Sequence, residues 1–234
     1  MDLFMIDNQG EKLEQLSGRL ENEYGIRTRK LRIDLASPDA ADRIMEGLKG
    51  LDCHLLVYNA AFSLVKPFTD HESGELDQFI AINARTQLKL VHAFSLHLID
   101  QRKGGGIILM SSLAGLLGMQ LVAPYAATKA FAWNLAEAIH HELKPYGIDV
   151  MACIAGATAT PAYLKTNPRY GVLKPMVMKP DEVVDAALRR LGKKTLFMPG
   201  FMNRFNYFIL TRILPRNVAS RIANNTMKNM YSKK

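Results

Sequence analysis

The sequence has little with which to be cross-linked, metallated or threaded through a bilayer. It contains two cysteines, Cys53 and Cys153, both in apolar runs and neither at a metal-ligand spacing, which argues against a disulfide framework and reads as a reduced, cytoplasmic chain. Its six histidines form no H-E-x-x-H or comparable arrangement, so no metal site is expected. No apolar run reaches the roughly 18 residues of a membrane span. The opening M-D-L-F-M-I-D-N lacks the basic and apolar regions of a signal peptide. No Pro/Gly/Ser-rich linker interrupts the 234 residues, a length that suits one α/β domain with a substantial core. Acidic residues are missing from positions 193–234, which hold nine Lys and Arg; the rest of the chain sets 21 basic against 22 acidic residues. The net charge of +8 therefore belongs to the tail, and no nucleic-acid partner is expected.

What is present centres on residues 106–129. Residues 107–110 are a short apolar run with a glycine triplet before it and Ser111-Ser112 after it, which predicts a buried strand whose end delivers a serine. Residues 123–144 carry Ala, Leu, Glu and Lys at helical spacing, with Pro124 at the start and Gly147 just past the end. Tyr125 and Lys129, four apart, share one face of that helix. An unperturbed tyrosine, with a pKa of about 10, is a poor base at neutral pH. A nearby ammonium favours the phenolate, so Lys129 can tune Tyr125 into an acid/base while Ser112 bonds a substrate oxygen.

Elsewhere strand and helix alternate. Residues 3–6, 29–33, 51–58 and 148–154 read as strands; 11–24, a segment opened by Ser37-Pro38-Asp39 and closed by Gly50, 77–100 and 180–191 read as helices. This order predicts an α/β fold built on a doubly wound, Rossmann-like parallel sheet. Ligands of such sheets sit at the carboxyl ends of the strands, where Asp7, Asp34, Asn59, Ser112 and Thr160 all fall. Taken singly, Asp7 and Asp34 also fit turn formers, Asn83 a solvated helix residue, Tyr125 a core residue and Lys129 a surface lysine. The triplet Gly104-Gly105-Gly106 leads from helix into strand, the reverse of a phosphate-cradling loop, and reads as a turn.

The serine pair closing a strand, the thirteen-residue step from Ser112 to Tyr125 and the helix start Y-A-A-T-K-A together resemble the short-chain dehydrogenase/reductase family. The resemblance covers residues 3 to about 200 and leaves 201–234 as a separate basic tail. It implies an NAD(P)-dependent oxidoreductase that moves hydride between nicotinamide and a carbonyl or alcohol carbon, working as a homo-oligomer. Tyr125 would then be the acid/base, Lys129 its partner and the holder of the nicotinamide ribose, Ser112 the orienter of substrate, and Asn83 the anchor of a relay water. Asp7 would accept the adenosine ribose hydroxyls, and with Asn8 where NADP users often carry Arg, it favours NAD over NADP. Asp34-Leu35 match the pair that contacts adenine. Asn59 and Ala60, in Tyr58-Asn59-Ala60-Ala61, match the family's N-N-A-G with two substitutions. Gly156 and Thr160 fit P-G-x-x-x-T, with Ala155 in place of the proline and Thr160 at the nicotinamide amide. The loops after Ser112 and Thr160, where specificity lies in this family, are read as carrying only small or apolar residues, which points to a lipophilic carbonyl substrate.

The family opens with a strand and T-G-x-x-x-G-x-G, and no such loop occurs here. Residues 3–6 correspond to the family's second strand, so the expected fold lacks its first βα unit. From this follow two expectations: that the chain as written binds nicotinamide cofactor poorly, and that Met1 is an internal start within a longer functional chain. The alternative to an enzyme is a non-catalytic, truncated relative. In the tail, Phe201, Phe205, Phe208, Ile209, Ile213 and Val218 recur at broadly helical spacing among Arg204, Arg212, Arg216 and Arg221. That pattern fits either a peripheral contact with an anionic membrane or a helix packed as a substrate lid or subunit contact.

Overall fold

A computed structural model describes residues 2–170 and 175–231; Met1 and the last three tail positions lie outside the described residues. In chain order the elements are β1 (Leu3–Asp7), α1 (Gly10–Tyr24), β2 (Thr28–Arg32), α2 (Ala40–Leu48), β3 (Leu55–Tyr58), α3 (Ser73–Ile80), α4 (Gln87–Gln101), β4 (Gly105–Ser112), α5 (Ala123–Leu143) and β5 (Ile148–Ala155). They are followed by α6 (Pro161–Lys165), α7 (Pro180–Leu188), β6 (Leu196–Phe197), α8 (Phe201–Phe208) and α9 (Arg216–Tyr231).

All strand pairs are parallel. The first ladder pairs β1 with β2, setting Asp7 opposite Arg32; the second runs in the order β3, β4, β5, β6. Among the described residues no ladder joins β1 to β3. Val57, in the apolar strand β3, is accordingly 46% exposed, whereas Ile107, Ile108 and Leu109 of β4 are fully buried. The two ladders are held together by side-chain packing. Ile33, Ala40, Ile44 and Leu48 share one core with Leu90, Phe94, Leu98, Leu109 and Val150, and Phe4 and Leu56 lean on it from either side. Burial at about 25 cal/mol per Å² of apolar surface makes such a core the main stabilising term. Thr86 adds a hydrogen bond from its hydroxyl to the Leu35 carbonyl at 2.8 Å.

Several boundaries differ from the sequence expectation. The helix expected at 77–100 begins at Ser73 behind a capping box of Glu72 and Glu75, and it runs through a π-helical stretch, Ala81–Thr86, into α4. Strand β3 starts four residues later than expected. Only Gly104, at φ +69°, serves as a turn; Gly105 and Gly106 are strand residues of β4. Their lack of a side chain is a packing requirement, because a Cβ on Gly105 would lie 2.6 Å from the His54 carbonyl and 2.9 Å from Leu98.

The tail forms two helices joined by a π turn at Ile209–Ile213, and it docks on the domain. Ala219 and Ala223 pack on Leu117 with Met119, Leu210 and Leu214 around them. Helix α9 thereby bridges the loops that follow β4 and β5. Asn224 accepts from the Gln120 backbone N–H at 2.6 Å and donates to the Gly118 carbonyl at 2.9 Å, while Arg169 N–H bonds the Met230 carbonyl at 3.0 Å.

Candidate active site

Ser112 is the last residue of β4, and its hydroxyl accepts the Ala114 N–H at 3.2 Å, capping a short 3-10 turn, Leu113–Gly115. The chain then crosses to α5, whose first turn contains Pro124, a residue suited to that position because its missing N–H would have no partner. This path brings the Ser112 hydroxyl close to the Tyr125 phenol. Burial raises the Tyr125 phenol, and the neighbouring Ser112 hydroxyl works against that rise.

Lys129 lies one turn further along α5 and is 4% exposed. Its Nζ sits 5.5 Å from the Tyr125 ring centroid and donates to the Met110 carbonyl at 2.7 Å. Desolvation pushes its pKa down to about 8, since a buried ammonium gives up solvation that a single carbonyl replaces only in part. In this structure burial, rather than the ammonium, dominates the Tyr125 phenol. The four-residue spacing gives proximity between the two groups, and their titration is set by how deeply the fold encloses both.

Asn83 is a buried residue of the π-helical stretch, not a solvated one. Its Oδ1 accepts the Phe62 N–H at 2.7 Å, and its Nδ2 donates to the Phe62 carbonyl at 2.8 Å and to Thr128 Oγ1 at 3.0 Å. Thr128 in turn donates to the Tyr125 carbonyl at 2.9 Å. The amide thus spends both donors and an acceptor on tying the loop after β3 to the helix that carries Tyr125 and Lys129.

Three further residues build this site without having stood out in the sequence. Ser111 donates from a buried hydroxyl to the Lys129 carbonyl at 2.7 Å. Thr128 joins Asn83 to α5. Gly115 lies so close to α5 that a Cβ would meet Ala130 N and Lys129 C at 2.7 Å, and its carbonyl receives the Trp133 indole N–H at 3.2 Å. Ser111 and Thr128 stand beside residues the motif names, which was the available signal; the need for glycine at 115 depends on contact between distant segments.

The remaining candidates lie at or after the ends of strands β1, β2, β3 and β5. Asn59 and Ala60 are exposed just past β3. Asp7 closes β1, where its Oδ1 accepts the Gln9 N–H at 2.8 Å, and Asp34 accepts the Ala36 N–H at 2.8 Å, so both do form turns while their carboxylates stay exposed. Leu35 is half-buried against the core. Asp7, Asp34 and Leu35 belong to the first ladder's side of the molecule and the Ser112–Tyr125–Lys129 group to the second. Arg32, across from Asp7, donates through Nε to the Asn8 carbonyl at 3.3 Å, placing beside Asp7 a cation that linear order does not reveal. Gly156 follows β5, with Asn203 of α8 so close that a Cβ would lie 2.6 Å from its Nδ2. Thr160 caps α6, its hydroxyl accepting the Tyr163 N–H at 3.2 Å. Among the described residues no cluster of His, Cys, Asp and Glu could hold a metal ion.

The chain and its fold are similar to those of known proteins. The 7beta-hydroxysteroid dehydrogenase of Clostridium sardiniense is 31% identical over 204 residues, a match covering 87% of this chain and 78% of that one. A solved structure of a 7beta-hydroxysteroid dehydrogenase superposes with a TM-score of 0.88 at 28% identity, covering 95% of this chain and 87% of the other. A short-chain dehydrogenase from Sphingobium yanoikuyae, solved with NADPH, gives a TM-score of 0.78 at 26% identity over 91% of this chain and 84% of that one. The family model for short chain dehydrogenases matches residues 1–171, and with Ser112, Tyr125 and Lys129 assembled at the end of one parallel ladder, the chain belongs to that family of oxidoreductases.

Proposed function

We propose that this oxidoreductase interconverts an alcohol and a carbonyl on a bulky lipophilic substrate, with Tyr125 as the proton donor and acceptor at the substrate oxygen. The observation that carries the reading is a buried Lys129 with its Nζ 5.5 Å from the Tyr125 ring, and a Ser112 hydroxyl close to the same phenol. A carbonyl oxygen placed between the two hydroxyls would accept from both, and as negative charge develops on it Tyr125 would release its proton. In the reverse direction Tyr125 would take the proton from the alcohol. The nicotinamide, when bound, supplies or receives the hydride. Lys129 would move its Nζ contact from the Met110 carbonyl toward the nicotinamide ribose. Because the Asn83 amide is already committed to Phe62 and Thr128, a relay water on this reading is held by backbone near Asn83 and not by its side chain. The loop after Ser112, whose Leu117 and Met119 pack with Ala219 and Ala223 of α9, favours a large apolar substrate; the likeness to hydroxysteroid dehydrogenases points the same way. The test is a panel of hydroxysteroids and bulky ketones, followed through nicotinamide absorbance. Tyr125→Phe should lower kcat by about 100-fold or more, and a variant as active as the parent would end the reading.

For the cofactor, this reading assigns Thr160 and Gly156 to the nicotinamide amide, Lys129 to the nicotinamide ribose, Asp34-Leu35 to the adenine and Asp7, whose carboxylate is exposed at the end of β1, to the adenosine ribose hydroxyls, so NAD is the preferred form. For the pyrophosphate the described residues offer no glycine-rich strand and loop, and none occurs in the sequence. The split between β1 and β3, with Val57 exposed on β3, favours a second reading in which a βα unit belongs between these strands and the 234 residues alone are catalytically silent. Calorimetric NAD titration of this chain, beside one extended through the upstream reading frame, separates the two readings. Micromolar binding by the short form would sink the second reading; binding by the extended form alone would sustain it.

A further inference from the structure

Helix α8 is two-faced. Its inner side places Asn203 against Gly156 and the Met178 sulfur, and Leu210 and Leu214 of the following turn against Leu117. Its outer side presents Phe201, Phe205 and Phe208, which are 71%, 51% and 53% exposed, with the Phe201 and Phe205 rings stacked at 6.5 Å. Ile213, the last residue of the π turn, is also exposed. Single exposed apolar side chains are ordinary, but a contiguous aromatic stripe on one helix marks a contact surface.

Beside the stripe lies an open pocket of about 430 Å³, lined by Arg189, Arg190, Lys193 and Arg204 together with Phe197 and Gly200. Arg190 lies over the Phe197 ring at 5.8 Å, and Arg204 donates to the Met198 carbonyl at 3.2 Å. Among the described residues none of these four cations takes part in an ion pair. Arg204 lines the pocket and is carried by α8 between Phe201 and Phe205, so cationic pocket and aromatic stripe adjoin. No acidic residue occurs from position 193 onward.

We propose that this surface seats on a bilayer bearing anionic headgroups, the phenylalanines entering the acyl boundary and the pocket taking a lipid phosphate. An interfacial helix needs an apolar face flanked by Arg or Lys, which is what α8 and its surroundings supply. A second copy of the chain is the poorer occupant, because a two-fold contact sets a patch against itself and would bring these arginines together with no acid of the tail between them. No described helix is long and apolar enough to cross a membrane, so the contact is one of lying on the surface. A substrate partitioned in that bilayer would reach the site through the loops that the tail itself bridges.

Co-sedimentation of the full chain with phosphatidylcholine vesicles, with and without phosphatidylserine, tests this. Phosphatidylserine should raise the bound fraction about tenfold, and the gain should fade in high salt. The pair Phe201→Ser and Phe205→Ser should weaken binding about tenfold. The pair Arg189→Glu and Lys193→Glu should remove the phosphatidylserine-dependent part, at about fivefold per cation. These side chains are exposed, and an unchanged melting temperature in each variant confirms that folding is intact. Equal pelleting of parent and variants would overturn the proposal. So would release by inorganic phosphate at matched ionic strength, which assigns the pocket to a free anion, or a dimer that the phenylalanine variant dissolves, which assigns the stripe to a second copy.

Discussion

Lys129 donates to the carbonyl of Met110 across the gap between α5 and β4, at 2.7 Å, from a position almost closed to water. Folding therefore carries a buried ammonium whose pKa falls from 10.5 to about 8. The charged form is the one penalised, so the cost is fully present below pH 8. It is relieved as pH rises from about 8 toward 10.5, where the folded chain has shed a proton that the unfolded chain still holds. Between pH 7 and 9 this contributes about 1 kcal/mol of added stability. Cys153, pushed up to about 12 by burial, and the raised Tyr125 oppose the trend at higher pH. Comparison with Lys129→Met isolates the lysine: the variant should lose this rise, visible as a differential shift of about 2 to 4 °C in Tm. Parallel pH profiles would contradict the assignment.

Asn83 satisfies both backbone groups of Phe62 and orients Thr128. Asn83→Ala should leave those two groups unpaired and cost about 2 to 6 kcal/mol, at roughly 1 to 3 per orphaned group. Asn83→Asp, which keeps the acceptor for Phe62 N–H and in neutral form has one O–H donor in place of two N–H donors, should be intermediate when neutral and worse when ionised, with no donor left. Denaturant titration checks the order, and a variant of parental stability would show that the loop is held by other contacts.

Cofactor preference turns on Asp7 and its neighbour across the ladder, Arg32. A carboxylate there repels a 2′-phosphate, and the guanidinium attracts it. In whichever form of the chain binds cofactor, NAD should be preferred, and Asp7→Ala should move the NAD to NADP ratio of kcat/KM by about tenfold toward NADP. A parent that prefers NADP would mean that Arg32 outweighs Asp7.

How much was legible in advance follows from the range of the forces involved. Periodicity and punctuation act over a few residues, so the order of strands and helices and the Ser112–Tyr125–Lys129 segment could be read directly. Helix α6 and strand β6 were missed because each is too short to establish a period. The need for glycine at 105, 115 and 156 was invisible for a different reason, since the atoms that forbid a Cβ come from segments far away in the chain. Asn83 could be chosen as a site residue, but that its amide is consumed by Phe62 and Thr128 is a fact of packing.

By itself the sequence determined an α/β chain of parallel strands with a tyrosine and a lysine one helical turn apart after a strand-ending serine, because those features are written in local pattern. Only the tertiary structure decided what surrounds them. It buried Lys129 until its pKa dropped, set Arg32 beside Asp7, and folded the basic tail across the loops that follow β4 and β5 while leaving its phenylalanines outward. Each of these depends on which distant surfaces meet, and on whether water remains between them.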